Sequence, residues 1–136
     1  MMVYEKRIDE DGIRLTSKLI RLTIEGRLTW NKDCHPITPS IPGELSSAIY
    51  TASYEGMFFR MYRITGKRFF NLSGHNPEFI SAMDIVLEIL DADGDSVQEI
   101  TNEDIVFRLF DSVRYAASGM KQRVAKLMKE DVTHVQ

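Results

Sequence analysis

The stretch Ile49-Tyr50-Thr51-Ala52-Ser53-Tyr54-Glu55-Gly56-Met57-Phe58-Phe59-Arg60-Met61-Tyr62-Arg63-Ile64 reads as a β-hairpin. Aromatic and β-branched residues fill its arms, and Glu55-Gly56 stands between them. Folding at that point pairs Tyr54 with Met57, Ala52 with Phe59 and Tyr50 with Met61. One face then carries Tyr50, Ala52, Tyr54, Met57, Phe59 and Met61, and the other carries Thr51, Ser53, Phe58, Arg60 and Tyr62. A one-residue slip would send every side chain to the wrong face, so this sorting specifies the register. Glu-Gly is a weaker two-residue turn than Asn-Gly, which leaves open a longer loop with a glycine bulge.

Downstream of the hairpin, residues 65–78 read as an irregular stretch punctuated by Gly66, Gly74, Asn76 and Pro77. A third strand is expected from Ser81 to Leu90, with Ile85, Leu87 and Ile89 on one side and Asp84 and Glu88 on the other. Asp93-Gly94 is a two-residue turn, after which Ser96 to Ile100 returns as a fourth strand. Thr101 to Lys129 reads as one long helix. Thr101 with Asp104 resembles a capping box, and Ile105, Leu109, Val113, Ala116, Met120, Val124 and Leu127 recur every three or four residues. Lys121, Arg123, Lys126 and Lys129 sit toward its negative end. Its first half, Ile105 to Ala117, is expected on the sheet. Its second half continues the stripe (with Met128 at the edge), but nothing remains in the chain to cover it.

Upstream, residues 31–47 hold Pro36, Pro39 and Pro42 and read as a proline-rich loop. Leu15, Leu19, Ile20, Leu22 and Ile24 follow helical spacing from about Ile13 to Glu25, and Gly26 stands where a left-handed cap would close that helix. Trp30 is the large anchor expected to pack the helix end against the sheet. Residues 1–12 are mostly polar and read as a loose tail or an edge strand.

These elements make one α+β domain over residues 1–136. An antiparallel meander of about four strands is covered on one face by an N-terminal helix and the first half of a long C-terminal helix. Charged residues make up 27% of the chain and the net charge is −3, which excludes a generally basic nucleic-acid binder and a disordered chain. The single cysteine, Cys34, excludes an internal disulfide framework. Charges near the N-terminus and the lack of any long apolar run point to a cytoplasmic protein outside the membrane.

Several segments together carry a resemblance: Gly26-Arg27-Leu28-Thr29-Trp30 after the first helix, Tyr54-Glu55-Gly56-Met57-Phe58, Leu87 to Gly94, and Leu109 with Ser112-Val113-Arg114. The chain resembles a diffuse group of small bacterial and bacteriophage proteins of unassigned function. They share a helix, a Gly-x-Leu-x-Trp step, an antiparallel meander with an Asp-x-Gly turn, and a closing helix. The resemblance implies no catalytic or binding residue. The chain departs from it at 31–47, at 65–78 and in the extended final helix.

Four features bear on chemistry. Asp91-Ala92-Asp93-Gly94-Asp95 resembles the opening of a calcium loop, but Ser96 and Asn102 stand where its glycine and closing glutamate belong, so it reads as an acidic turn. Cys34 is the one candidate nucleophile of an enzymatic reading. It needs an imidazole beside its sulfur, and the adjacent His35 points away on an extended chain. No metal-ligand spacing is present, and no cofactor is expected. Phe58, Arg60, Tyr62, Arg63, Lys67 and Arg68, in a stretch without acids, could stack bases and neutralise phosphates of a single-stranded nucleic acid. The leading expectation is a non-enzymatic interaction protein of a bacterium or phage. Its partners would be another protein and, through Met120, Val124, Leu127 and Met128, a second copy of itself.

Overall fold

The computed structural model describes residues 2–33, 35, 37–39, 43–70, 78–101 and 104–135. The hairpin forms as its residues require. Strands β3 (Ile49–Tyr54) and β4 (Met57–Phe70) pair in the expected register, with Tyr54 opposite Met57 and Tyr50 opposite Met61. Glu55 and Gly56 take φ of +48° and +80°. Positive φ at both central residues makes this the tight two-residue turn whose twist suits a hairpin.

β4 continues past Ile64 and pairs along its length with β5 (Glu78–Leu90), from Phe58 opposite Leu90 to Phe70 opposite Glu78. The irregular stretch expected at 65–78 is therefore strand at its described ends, and residues 71–77 lie outside the described residues. Gly66 does not break β4. It sits opposite Ala82, where a ladder already fixes the backbone on that side. β6 (Ser96–Thr101) pairs with β5, and a register shift falls at Ile89 and Leu90. The connection is a five-residue acidic loop in place of the two-residue turn at Asp93-Gly94, since Leu90 pairs with Ser96.

Among the described residues the sheet has six strands, two more than the meander of about four that was expected. The two extra strands lie inside the stretch read as loop. β1 (Asn31–Asp33) pairs with β3, and β2 (Glu44–Leu45) lies on β4 beyond the end of β3. Both are short and largely exposed, so they carry no hydrophobic alternation and are held by backbone pairing. All pairings are antiparallel, in the order β1-β3-β4-β5-β6.

Helix α1 spans Met2–Ile24, so the expected tail or edge strand at residues 1–12 is helical from Met2. Gly12 inside it marks a close approach: a Cβ there would come within 3.2 Å of Ile100 on β6. At its end Gly26 takes φ +75°, Arg27 N–H donates to Leu22 O (2.9 Å) and Gly26 N–H to Thr23 O (3.2 Å). That is the Schellman closure expected of a C-terminal glycine. Trp30 follows as the buried anchor, its indole N–H donating to Thr23 Oγ1 at 3.0 Å.

The single long C-terminal helix is two helices, α2 (Asp104–Ala117) and α3 (Met120–Val135). Gly119 breaks it with φ +72°, and Ser118 Oγ accepts the N–H of Met120 at 3.1 Å, satisfying a donor that the break leaves open. Thr101, expected to cap the helix, belongs to β6.

Leu19 and Leu22 of α1 and Val106, Leu109, Phe110 and Val113 of α2 bury themselves on Tyr50, Ala52, Phe59, Met61, Ile85, Leu87 and Ile89. Both helices thus cover the expected face of the sheet. α2 is turned slightly from the expected stripe, with Val106 and Phe110 inward, Ile105 half-buried and Ala116 exposed. The opposite face is not the plain solvated surface that alternation suggested. Ile49, Tyr62, Ile64 and Val86 form a second buried cluster there, covered in part by Ile37 from the proline-rich segment.

Candidate functional site

On that second face the even-numbered residues of β4 and β5 meet across the ladder. Arg60 stands directly opposite Glu88, and Tyr62 lies one pair further along. Arg60 Nε donates to Glu88 Oε2 at 2.7 Å, with Nη2 on the same oxygen, while the Tyr62 hydroxyl donates to Oε1. Glu88 is only 1% exposed, yet both its oxygens are engaged. Among the described residues no buried side-chain polar atom lacks a partner. A carboxylate so enclosed is a structural tie between strands, with no oxygen turned outward to take a substrate proton.

Beside this network, Asp33 on β1 accepts the backbone N–H of His35 at 2.9 Å and lies 2.7 Å from the His35 ring nitrogen. These two hydrogen bonds, with a smaller contribution from the Arg60 charge, hold the Asp33 carboxyl below its ordinary range. Cys34 lies outside the described residues, and so does the geometry of any Cys34–His pair. The acidic turn uses its own first carboxylate: Asp91 Oδ1 accepts the N–H groups of Asp93 (3.0 Å) and Asp95 (2.9 Å). No group of three metal-ligating side chains occurs among the described residues.

The six basic and aromatic residues expected to form a nucleic-acid patch do not share one exposed surface. Phe58 is exposed, Arg60 is paired to Glu88, and Tyr62 is fully buried. Arg63 belongs to the opposite face, where its guanidinium donates to Ser46 O and Ser46 Oγ. The side chains of Lys67 and Arg68 lie outside the described residues.

The residues expected to self-associate are placed differently. Met120, Val124, Leu127 and Met128 are 41%, 44%, 59% and 59% exposed, and every side chain from Met120 to Lys129 is exposed. The main packing of α3 is against α2. Beside that joint a groove of about 390 Å³ runs between the end of α1 and α2, lined by Thr23, Ile24, Asp111, Tyr115, Ala116 and Lys121. A second hollow of about 420 Å³ shares Tyr115 with it and is lined also by Lys32, Arg114 and Met120. Ile24 and Tyr115, which line the groove, are 63% and 47% exposed.

No family model, no curated protein and no solved structure matches this chain. The spacing of Met120, Val124 and Leu127 marks one exposed stripe, whereas nothing in it points to the groove. Ile24 looked like the last core residue of its helix, and Tyr115 fell off the counted stripe. Gly119 was the available signal for the elbow. No helix among the described residues is long and apolar enough to cross a membrane.

Proposed function

We propose that the protein is a non-enzymatic interaction protein whose output is the binding of another protein through α3. The observation that carries this is the exposure of Met120, Val124, Leu127 and Met128 on a helix set off from the core by Gly119. Large apolar side chains grouped on one exposed element mark a contact surface, because leaving them in water forfeits roughly 1.5–3 kcal/mol for each one that burial would gain. The test is capture by the full chain from extracts of its native cell, beside the double variant Val124→Asp/Leu127→Asp. A protein retained by the wild type and lost by the variant is expected. Identical capture by both would remove α3 from the function.

A further inference from the structure

We propose a second binding site, independent of α3: a hollow on the second face of the sheet that takes one ring of a neutral saccharide. The hollow has a volume of about 310 Å³ and lies at the end of that face away from the buried Tyr62 and Ile64. Its floor is two neighbouring rows of the ladder, since side chains two residues apart on a strand share a face. Ser53, Phe58 and Leu90 stand opposite one another in one row, and Asn31, Thr51 and Arg60 in the next. All of these but Arg60 line the hollow, and the acidic loop that starts at Asp91 forms its wall. β3 and β4 each pair on both sides here, so the floor is held rigidly.

The polar groups of the hollow select the ligand. The Asn31 amide and the Thr51 and Ser53 hydroxyls make no side-chain hydrogen bond among the described residues. Asp91 spends Oδ1 on the N–H groups of Asp93 and Asp95, which leaves Oδ2 free. Arg60, in the same row as Thr51, is by contrast committed to Glu88. An amide and two hydroxyls each offer a donor and an acceptor, and the carboxylate oxygen adds an acceptor. Adjacent sugar hydroxyls answer with donors and acceptors side by side, whereas an ammonium brings donors alone. No cation lines the hollow, and Asp93 and Asp95 follow Asp91 in its wall, so a phosphate or a fatty acid meets like charge. Phe58 supplies the apolar side and is 43% exposed. The negative face of its ring suits the weakly positive C–H face of a pyranose. Ligand pockets begin at roughly 300 Å³, so this one holds a single ring.

The test is an NMR titration of the isotope-labelled full chain with glucose, galactose, mannose and N-acetylglucosamine, each taken to saturation. At least one sugar should move the amide signals of Thr51, Ser53 and Gly94 saturably and leave those of α3 in place. Phe58→Ala should weaken that sugar about tenfold and Thr51→Val about threefold, the first by removing the stacking ring and the second by removing one hydroxyl of the same shape. If Phe58→Ala fails to fold, Asp91→Asn replaces it, because it keeps the oxygen that closes the loop and exchanges only the free one. Val124→Asp/Leu127→Asp should bind the sugar as the wild type does, so this site and the α3 reading stand or fall separately. No saturable shift with any of the sugars, shifts confined to other residues, or affinity unchanged in both variants overturns the proposal. Saturation by agmatine or uridine and by no sugar overturns it in favour of an organic cation or a nucleobase.

Discussion

Burying a carboxylate costs several kcal/mol unless its lone pairs are met, and Glu88 meets them with two donors from one neighbouring strand, Arg60 and Tyr62. Removing the acid leaves the Arg60 guanidinium, itself only 17% exposed, without its main counter-charge. Glu88→Leu is expected to destabilise the fold by about 2–4 kcal/mol in urea unfolding, a cost of the orphaned donors more than of the lost attraction. Restoring an apolar pair with Arg60→Met/Glu88→Leu should recover at least half of that loss. If the double variant is no better than the single, the network is held by something other than mutual satisfaction. In the sequence Glu88 alternates with Leu87 and Ile89, a pattern that reads as solvent-facing. The buried cluster of Tyr62, Ile64 and Val86 on the same face and Arg60 directly opposite make it a core residue, and neither is local information.

The elements divide in the same way between local and distant causes. The hairpin was legible down to its register because turn and alternation agree within a short stretch. Gly26 was legible as a cap because its neighbours supply the closing hydrogen bonds. β1 and β2 were not, since Asn31-Lys32-Asp33 and Glu44-Leu45 become strands only by pairing with β3 and β4. The elbow between α2 and α3 is the intermediate case. The stripe counted through Ser118-Gly119 without a gap, and a glycine within a helix costs only about 1 kcal/mol, so periodicity outweighed it. In the structure Gly119 adopts a left-handed backbone that an alanine enters at a cost of roughly 1–2 kcal/mol. Gly119→Ala should therefore favour a straighter α2–α3 helix. Spin labels at Arg108 and Lys126 would report it as a longer, narrower distance distribution; an unchanged distribution would show that Ser118 alone sets the bend.

At the scale of the molecule, the sheet body and α3 should differ in stability because they differ in burial. The body joins α1 and α2 to one face of the sheet through a continuous cluster that includes Trp30, and the second face has its own buried group. Opening any part of that body exposes large apolar side chains, so its amides should exchange only through near-global unfolding. From Met120 to Lys129, by contrast, no side chain is buried. An isolated helix of this length is marginal in water, so α3 of the monomer should open locally at little cost. Hydrogen exchange on dilute protein is expected to show β4 and β5 protected by orders of magnitude more than α3. A partner that binds α3 should slow exchange there, because it stabilises only the state that binds. Protection of α3 equal to that of the strands in dilute monomer would mean that the helix belongs to the folding unit, with its stripe covered within the chain.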